Sequence, residues 1–182
     1  MTSERPILQL GHPTLRQVAQ PVKSTADAQV QQLIDDLILT VQAASGVGLA
    51  APQVGQSLQL LVVASRPNPR YPHAPVMEPT ALINPRLIAH SEDTVKGWEG
   101  CLSIPGIRGL VPRYREVEVE YLDPWGAVQR VIWTDFVARI FQHESDHLAG
   151  KVFLDRVEST ADLMTEQEYQ TRVLAEGSGA GS

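Results

Sequence analysis

Hydrophobic residues recur with helical spacing near the beginning of the chain. They follow the pattern i, i+3, i+4, i+7, i+8 and i+11 and are Val30, Leu33, Ile34, Leu37, Ile38 and Val41. A single apolar stripe of this kind predicts an amphipathic helix that packs against a core. Ser24 followed by Asp27 provides an N-terminal cap for it. We interpret this helix as scaffold.

Strand patterns follow in two regions. The apolar run 58–64 predicts a buried strand. Six prolines between positions 66 and 85 predict a loop, interrupted by a short strand at 81–83. Residues 116–121 alternate strictly between apolar and acidic, and a turn at 123–126 leads into a second run at 127–133. This pattern predicts a β-hairpin with one solvated face.

Two further helices have clear end signals. Thr134 or Asp135 can cap a helix that ends before Gly150, a residue type common just after a helix. A capping-box pattern at positions 165 and 168 predicts a short terminal helix that begins at Glu166. The final GSGAGS, at 177–182, has the composition of a disordered tail. No repeat or linker divides residues 1–182, so one domain is expected.

Composition and charge restrict the function. The chain has 182 residues, 43% of them hydrophobic, which suits one continuous core. Its formal charge of −6 and the absence of a Lys/Arg cluster give no support for binding to nucleic acid or anionic lipid. A single cysteine fits a reducing compartment. With no signal-peptide pattern and no membrane-spanning apolar run, we expect a cytoplasmic protein or the mature form of an organellar one.

The second helix carries the first chemical motif. His143 and His147 are four residues apart, so both imidazoles lie on one face and can share one metal ion. Phe136 and Ile140 continue the same stripe, which indicates that the histidines extend a buried apolar face. Glu144 flanks the pair and can act as a general base. The sequence therefore predicts metal-assisted hydrolysis in an α+β fold, with antiparallel or mixed sheets around this central helix.

The third metal ligand has two candidate sources, since a catalytic centre of this type uses three protein ligands. A third histidine at position 153 is excluded because that residue is Phe. An acidic residue downstream can serve, and the candidates are Glu158, Glu166 and Glu168. The alternative is Cys101, whose flanking glycines predict a loop that presents the thiol. A Cys/His/His set suits Fe(II), Zn(II), Co(II) or Ni(II) and disfavours Mg(II) and Ca(II).

A glycine-containing segment at 46–53 adds a binding function. Its glycines do not match a phosphate-binding loop, and no Lys–Ser/Thr pair follows. Small residues instead allow close approach by a ligand backbone, which can pair with the segment as an added strand. Gln53 supplies a polar group at its end.

Three segments in order resemble the signature motifs of peptide deformylases. These motifs read G-φ-G-φ-A-A-x-Q, E-G-C-φ-S and Q-H-E-x-D-H-φ-x-G, where φ is apolar, and the chain matches them at 46–53, 99–103 and 142–150. The segment 108–113, which contains Arg108 and Arg113, also resembles the family. The resemblance covers about residues 7–156. It implies a hydrolase that removes the N-formyl group from the N-terminal methionine of newly synthesised proteins and releases formate.

The resemblance also implies a role for each matching residue. The metal ligands correspond to Cys101, His143 and His147, the base to Glu144, and the oxyanion donors to the Gln53 side chain and the Leu102 backbone N–H. Residues implied in substrate binding are Val47, Gly48, Arg108, Phe136 and Ile140, with Arg108 at the pocket mouth and Leu102 and the His143 ring also in the methionine pocket. Glu99 is expected to pair with Arg113 and hold the cysteine segment. Iron(II) is the family's usual metal, and Zn(II), Ni(II) or Co(II) also suit the ligands.

The implied partners are formylmethionyl nascent chains and, transiently, the ribosome. The segment from Glu158 is unlike the long terminal helix of some deformylases, so a ribosome contact through such a helix is not expected. Asp146 is interpreted as structural, and Arg139 either touches substrate or extends into solvent. The rival hypotheses are a metallopeptidase that cleaves internal peptide bonds, whose activity would survive loss of Cys101, and a catalytically silent peptide-binding module.

Overall fold

The computed structural model describes residues 2–175. Helix α1 spans Ala28–Ala43, and its N-cap is Asp27, whose side chain accepts a hydrogen bond from the Gln29 N–H. The apolar stripe faces inward, and Leu37 and Val41 are fully buried. The predicted scaffold helix is therefore confirmed, with Asp27 as its cap.

Two antiparallel sheets enclose the second long helix. The strands are β1 (Gly48–Ala50), β2 (Leu60–Val63), β3 (Thr80–His90), β4 (Thr94–Cys101), β5 (Ile104–Tyr114), β6 (Glu116–Leu122), β7 (Val128–Thr134) and β8 (Leu163–Thr165). The first sheet has the order β1-β2-β3-β6-β7 and the second β4-β5-β8. Helix α2 (Asp135–Leu148) packs against β1 and β2 of the first sheet and β5 of the second. The predicted α+β fold around a central helix is confirmed.

Strand β3 is longer than the sequence indicates. The expected short strand at 81–83 is the beginning of an eleven-residue strand that continues through Pro85. The strand tolerates this proline because the register with β6 shifts between Ile83 and Arg86, at a β-bulge. Asn84 adopts a positive φ of 50° there, and its side-chain amide forms hydrogen bonds with both backbone groups of Val22. The loop prediction was therefore wrong for the end of this segment.

The cysteine segment also differs from its predicted loop. Cys101 is the last residue of β4, and β5 begins three residues later, so the two strands form a tight hairpin that the sequence analysis missed. Two glycines of this hairpin, Gly97 and Gly109, mark close packing against other segments. A Cβ at Gly97 would lie 2.7 Å from the Arg139 guanidinium, and one at Gly109 would lie 2.7 Å from the Phe153 ring.

The remaining elements follow the sequence patterns. Strands β6 and β7 form the predicted hairpin, and α2 ends at a C-cap that Gly150 follows with a φ of 69°. Helix α3 (Glu166–Tyr169) begins where the capping box placed it, because the Thr165 hydroxyl accepts a hydrogen bond from the Glu168 N–H. The proposed tail at 177–182 lies outside the described residues. In the part of the chain described, no helix is long and apolar enough to cross a membrane.

Candidate metal and substrate site

Two histidines and the cysteine come together between the sheets. Cys101 lies at the end of β4, and His143 and His147 lie one turn apart on α2. One ligand atom from each of the three lies within 4.8 Å of the other two, and the Cys101 Sγ is 3.3 Å from the His147 Nε2. All three side chains are buried. The arrangement brings together one sulfur and two nitrogens at a spacing that one metal ion can bridge.

The donor set and its surroundings fit a transition metal. One sulfur and two imidazoles suit a borderline-soft ion better than an oxygen-preferring one. The Nδ1 of His143 lies 2.8 Å from the Glu99 Oε2, which directs the Nε2 of that ring toward the ligand cluster. A carboxylate behind a ligating histidine is a common feature of metal sites, because it fixes the orientation of the ring.

The acidic alternatives for the third ligand lie elsewhere. Each of the three glutamates forms a salt bridge away from the cluster: Glu158 with Lys96, Glu166 with Arg108, and Glu168 with Arg172. The geometry therefore favours Cys101 over the downstream acids.

The neighbouring imidazoles stabilise the thiolate form of the cysteine. Burial disfavours the Cys101 thiolate, but the imidazoles of His147 and His143 outweigh this effect and lower the pKa of the thiol well below its usual value. Burial likewise disfavours a charged His143, yet hydrogen bonds to Cys101 and Glu99 raise its pKa. Since a metal binds the thiolate form, the cluster already favours the ligating state of the cysteine.

Glu144 lies beside the cluster with one oxygen free. Its carboxyl is buried, and its Oε2 has no hydrogen-bond partner. Burial raises the pKa of Glu144 to about 7, despite the opposing influence of the two histidines. The β1 backbone approaches it so closely that a Cβ at Gly48 would lie 2.5 Å from the Glu144 Oε1. A glycine at this position therefore allows the strand and the carboxyl to share the space.

An arginine-rich network supports the cluster from behind. The Glu99 carboxylate accepts two hydrogen bonds from Arg113, at 2.9 and 3.0 Å, which is the pairing expected from the sequence. Arg113 also donates to Asp146, which pairs in turn with Arg156. Burial opposes both charges, but their attraction lowers the pKa of Glu99 and raises that of Arg113. The ion pair thus fixes the residue that orients His143.

Gln53 reaches the cluster from the opposite side. Its Nε2 lies 3.5 Å from the Cys101 Sγ and 3.1 Å from the Ser103 Oγ, and its Oε1 accepts a hydrogen bond from the Ala50 N–H. Both ends of the amide are thus bonded, which fixes the direction of its N–H groups. The side chain of Gln53 is fully buried.

A cavity opens onto the cluster. Its walls include all five residues expected from the sequence to surround a methionine side chain: Val47, Leu102, Phe136, Ile140 and His143. The cavity lies between β1 and β4, and each of these is an edge strand of its sheet. Three lining residues were missed, namely Arg70, Tyr71 and Trp98. The first two lie in the proline-rich loop, where no motif or periodicity marks them.

Comparison with known proteins gives one consistent result. The family model for polypeptide deformylase matches residues 4–162. Peptide deformylase 2 of Nostoc sp. is 65% identical over 168 residues, which cover 92% of this chain and 94% of that protein. A class I type b peptide deformylase of Acinetobacter baumannii, crystallised with Met-Ala-Ser, aligns with a TM-score of 0.83 at 41% identity and covers 86% of this chain and 100% of that one.

The chain belongs to the polypeptide deformylase family. A peptide deformylase of Synechococcus elongatus in complex with actinonin is a further structural relative, with a TM-score of 0.77 at 37% identity over 89% of this chain and 86% of that one. The protein is accordingly a metal-dependent enzyme that removes the N-formyl group from N-terminal methionine. The metallopeptidase alternative is not favoured.

The structure places two further arginines of this deformylase. Arg108, expected at the pocket mouth, is fully buried behind the cavity wall and forms two hydrogen bonds with Glu166. Arg139 lines the cavity and does not extend into solvent, because its side chain is 13% exposed and donates to Glu99 and to backbone carbonyls of both β4 and β5. Both positions depend on the β4–β5 hairpin, which the sequence analysis did not predict.

Proposed function

We propose that Cys101, His143 and His147 hold a single divalent transition metal in this deformylase. The observation that carries the proposal is the approach of three soft or borderline ligand atoms to within 4.8 Å, with Glu99 behind one of the histidines. Iron(II) is the metal expected for the family, and Zn(II), Ni(II) or Co(II) suits the same donors. A metal ion held there supplies Lewis acidity and activates water at neutral pH.

Glu144 is proposed as the general base. It takes a proton from the attacking water and passes it to the leaving methionine amine, which converts a poor leaving group into a good one. Burial raises the pKa of Glu144, which favours acceptance of the proton from water. The unbonded Oε2 is available for this exchange.

Gln53 and Leu102 are proposed as the oxyanion donors. The Gln53 Nε2 lies beside the Cys101 Sγ, so its N–H groups are already directed at the reacting region. Leu102 follows the cysteine directly and lines the cavity, which makes its backbone N–H a second donor. Donors fixed before the reaction stabilise developing charge without a reorganisation cost.

The substrate chain is proposed to lie between the two sheet edges. Val47 and Gly48 would pair with its backbone as an added strand, and Phe136 and Ile140 would contact the methionine side chain. Formyl is the smallest acyl group, so a close-packed centre can admit it and exclude acetyl. Formylmethionyl nascent chains, a transient ribosome contact and a cytoplasmic location complete the proposal. The co-translational origin of a formylmethionyl chain supports the ribosome contact and the cytoplasmic location.

The decisive experiment is anaerobic purification followed by metal analysis and a formate-release assay. We expect about one metal per chain and formate release from an N-formylmethionyl peptide, with no turnover of its acetylated or unblocked counterparts. If iron(II) is present, the activity should fall on exposure to oxygen. Cys101→Ala should lose both metal and activity. Retention of activity by this variant, or cleavage of internal peptide bonds, would contradict the proposal.

A further inference from the structure

Tyr71 connects the proline-rich loop to the strand that carries the cysteine. Its hydroxyl accepts a hydrogen bond from the Gly100 N–H at 3.2 Å and lies 3.5 Å from the Gly100 carbonyl oxygen. Its ring packs against Phe136, with the ring centroids 5.2 Å apart. Both Tyr71 and Phe136 line the cavity. Tyr71 thus bridges the strand with the metal ligand and the helix side of the methionine pocket.

Arg108 supports Tyr71 from behind. Its guanidinium carbon lies 4.9 Å from the centroid of the Tyr71 ring and 4.6 Å from that of the Tyr169 ring, so it is held between two aromatic rings. Glu166 accepts hydrogen bonds from Arg108 at 2.6 and 3.0 Å. Cation–π contacts of a desolvated arginine are among the stronger ones. Tyr71 is therefore packed against a charged group whose own position is fixed by the C-terminal segment.

The C-terminal segment, residues 163–174, holds this support in two ways. Strand β8 pairs with β5 at the level of Arg108, whose register partner is Met164. Tyr169 is buried and also packs on Trp98, another cavity-lining residue, at 5.9 Å between ring centroids. The segment therefore reaches the cavity through two chains of contact, one from Tyr169 through Arg108 to Tyr71 and one from Tyr169 to Trp98.

We propose that Tyr71 is a substrate-binding residue that forms a wall of the methionine pocket, and that Glu166, Arg108 and Tyr169 are positioning residues that hold it in place. This inference rests on the proposed function of the cavity. It assigns the C-terminal segment a part in substrate affinity, although that segment contributes no residue to the metal cluster. It also explains why Arg108 is buried, since its contacts are with the wall and not with the substrate.

The first test separates substrate affinity from turnover. Tyr71→Phe removes one hydrogen bond to Gly100, and we expect KM for a formylmethionyl peptide to rise about two- to tenfold. Tyr71→Ala removes the ring as well and should raise KM at least tenfold. In both variants kcat should stay within about threefold of the wild type, and the metal content should be unchanged. A lower KM in Tyr71→Phe would overturn the proposal, since the hydroxyl would then compete with substrate for Gly100.

The second test asks whether the C-terminal segment acts through Tyr71. Glu166→Gln should raise KM severalfold, whereas the matched control Glu168→Gln should not, because Glu168 pairs with the exposed Arg172 two residues along the same segment. In a Tyr71→Ala background the effect of Glu166→Gln should disappear, as expected for coupled residues in a double-mutant cycle. Additive effects in the cycle would contradict the positioning role.

A third measurement does not depend on activity. Deuterium exchange of the Gly100 amide, followed by NMR, reports on its hydrogen bond to Tyr71 directly. Exchange should be faster in Tyr71→Phe and in Glu166→Gln than in the wild type and Glu168→Gln. Faster exchange in a protein that releases no formate would refute the proposed function but support the positioning contacts. Unchanged exchange in Glu166→Gln would refute those contacts, whatever the enzyme's activity.

Discussion

Two pairs of buried polar residues on helix α2, Glu144 with His147 and Gln142 with Asp146, differ in how completely they are hydrogen bonded. In the first pair, the Glu144 Oε2 and the His147 Nδ1 are buried without a hydrogen-bond partner. In the second pair, Gln142 and Asp146 bond through every oxygen and nitrogen of their side chains. Residues close together in sequence therefore differ sharply in how completely the polar atoms of their side chains are hydrogen bonded.

This difference distinguishes the candidate reacting groups from the residues that support them. An unpaired buried polar atom costs free energy, so native proteins usually satisfy such atoms. Of the four unpaired buried side-chain atoms found in residues 2–175, two belong to the candidate centre. The network of Glu99, Arg113 and Asp146 contributes none. We interpret the unbonded Glu144 Oε2 as a group available to substrate or water, and the fully bonded network as the frame that fixes the directions of the candidate reacting groups.

The strongest test of this comparison is the removal of the open carboxylate. Glu144→Gln keeps the size of the side chain but cannot accept a proton, so we expect activity to fall 10²- to 10⁴-fold with the metal retained. Formate release and metal content measured on the same preparation check both parts. Near-wild-type activity would show that the unpaired oxygen is not the general base.

Gln53 shares features of both groups of residues. Its amide is fully hydrogen bonded, as in the support network, yet it lies beside the candidate reacting groups. Gln53→Met retains much of the volume but removes the oxyanion donor, and kcat should fall about 10²- to 10³-fold. The matched control is Gln142→Met, which also removes a buried, fully bonded amide, but on the far face of α2. The control should lower the melting temperature and leave kcat nearly unchanged. Equal losses of kcat in the two variants would indicate a structural role for both.

Glu99 tests how far the support network affects the metal. Glu99→Gln removes the charge that balances Arg113 and Arg139 and weakens the hydrogen bond to His143. We expect metal affinity to fall about 10- to 100-fold, as for other partners of ligating histidines, together with a loss of stability. Metal competition titrations check the first effect and thermal unfolding the second.

Asp146→Asn provides the control for Glu99. It also disrupts the salt bridge to Arg113, but the Asp146 carboxylate contacts none of the three metal ligands. It should therefore destabilise the fold with little change in metal affinity. A loss of affinity as large as that of Glu99→Gln would mean that the network acts as a whole and not through the Glu99–His143 contact.

Local sequence patterns predicted the candidate metal ligands and the helix that holds two of them. The spacing of His143 and His147 on one helix depends only on helical geometry, and the same holds for the caps and the stripe of α1. Cys101 was identified as a candidate ligand, but its place in a strand was not. Its flanking glycines, Gly100 and Gly106, were interpreted as loop residues, whereas both lie in strands, Gly100 in β4 and Gly106 in β5.

The remaining features depend on contacts between distant segments. Arg108 meets Glu166 across 58 residues, and Tyr71 meets Gly100 across 29. Neither contact leaves a periodic or short-range pattern in the sequence. Strand β3 continues through Pro85 at a β-bulge, where Asn84 bonds to Val22, 62 residues away. Sequence patterns therefore indicated the candidate reacting residues, while the residues that contact and support them became evident from the fold.

The smallest expected effect lies at the outer end of the network. Arg156 pairs with Asp146, but its side chain is 42% exposed, and Asp146 keeps its bond to Arg113 when Arg156 is lost. Solvent screens an exposed partner, so Arg156→Ala should lower the free energy of unfolding by about 1 kcal/mol or less and leave metal content and turnover unchanged. Denaturant unfolding and the formate assay check this. A large loss of activity would mean that the support network of the candidate centre extends through Asp146 to Arg156 at the protein surface.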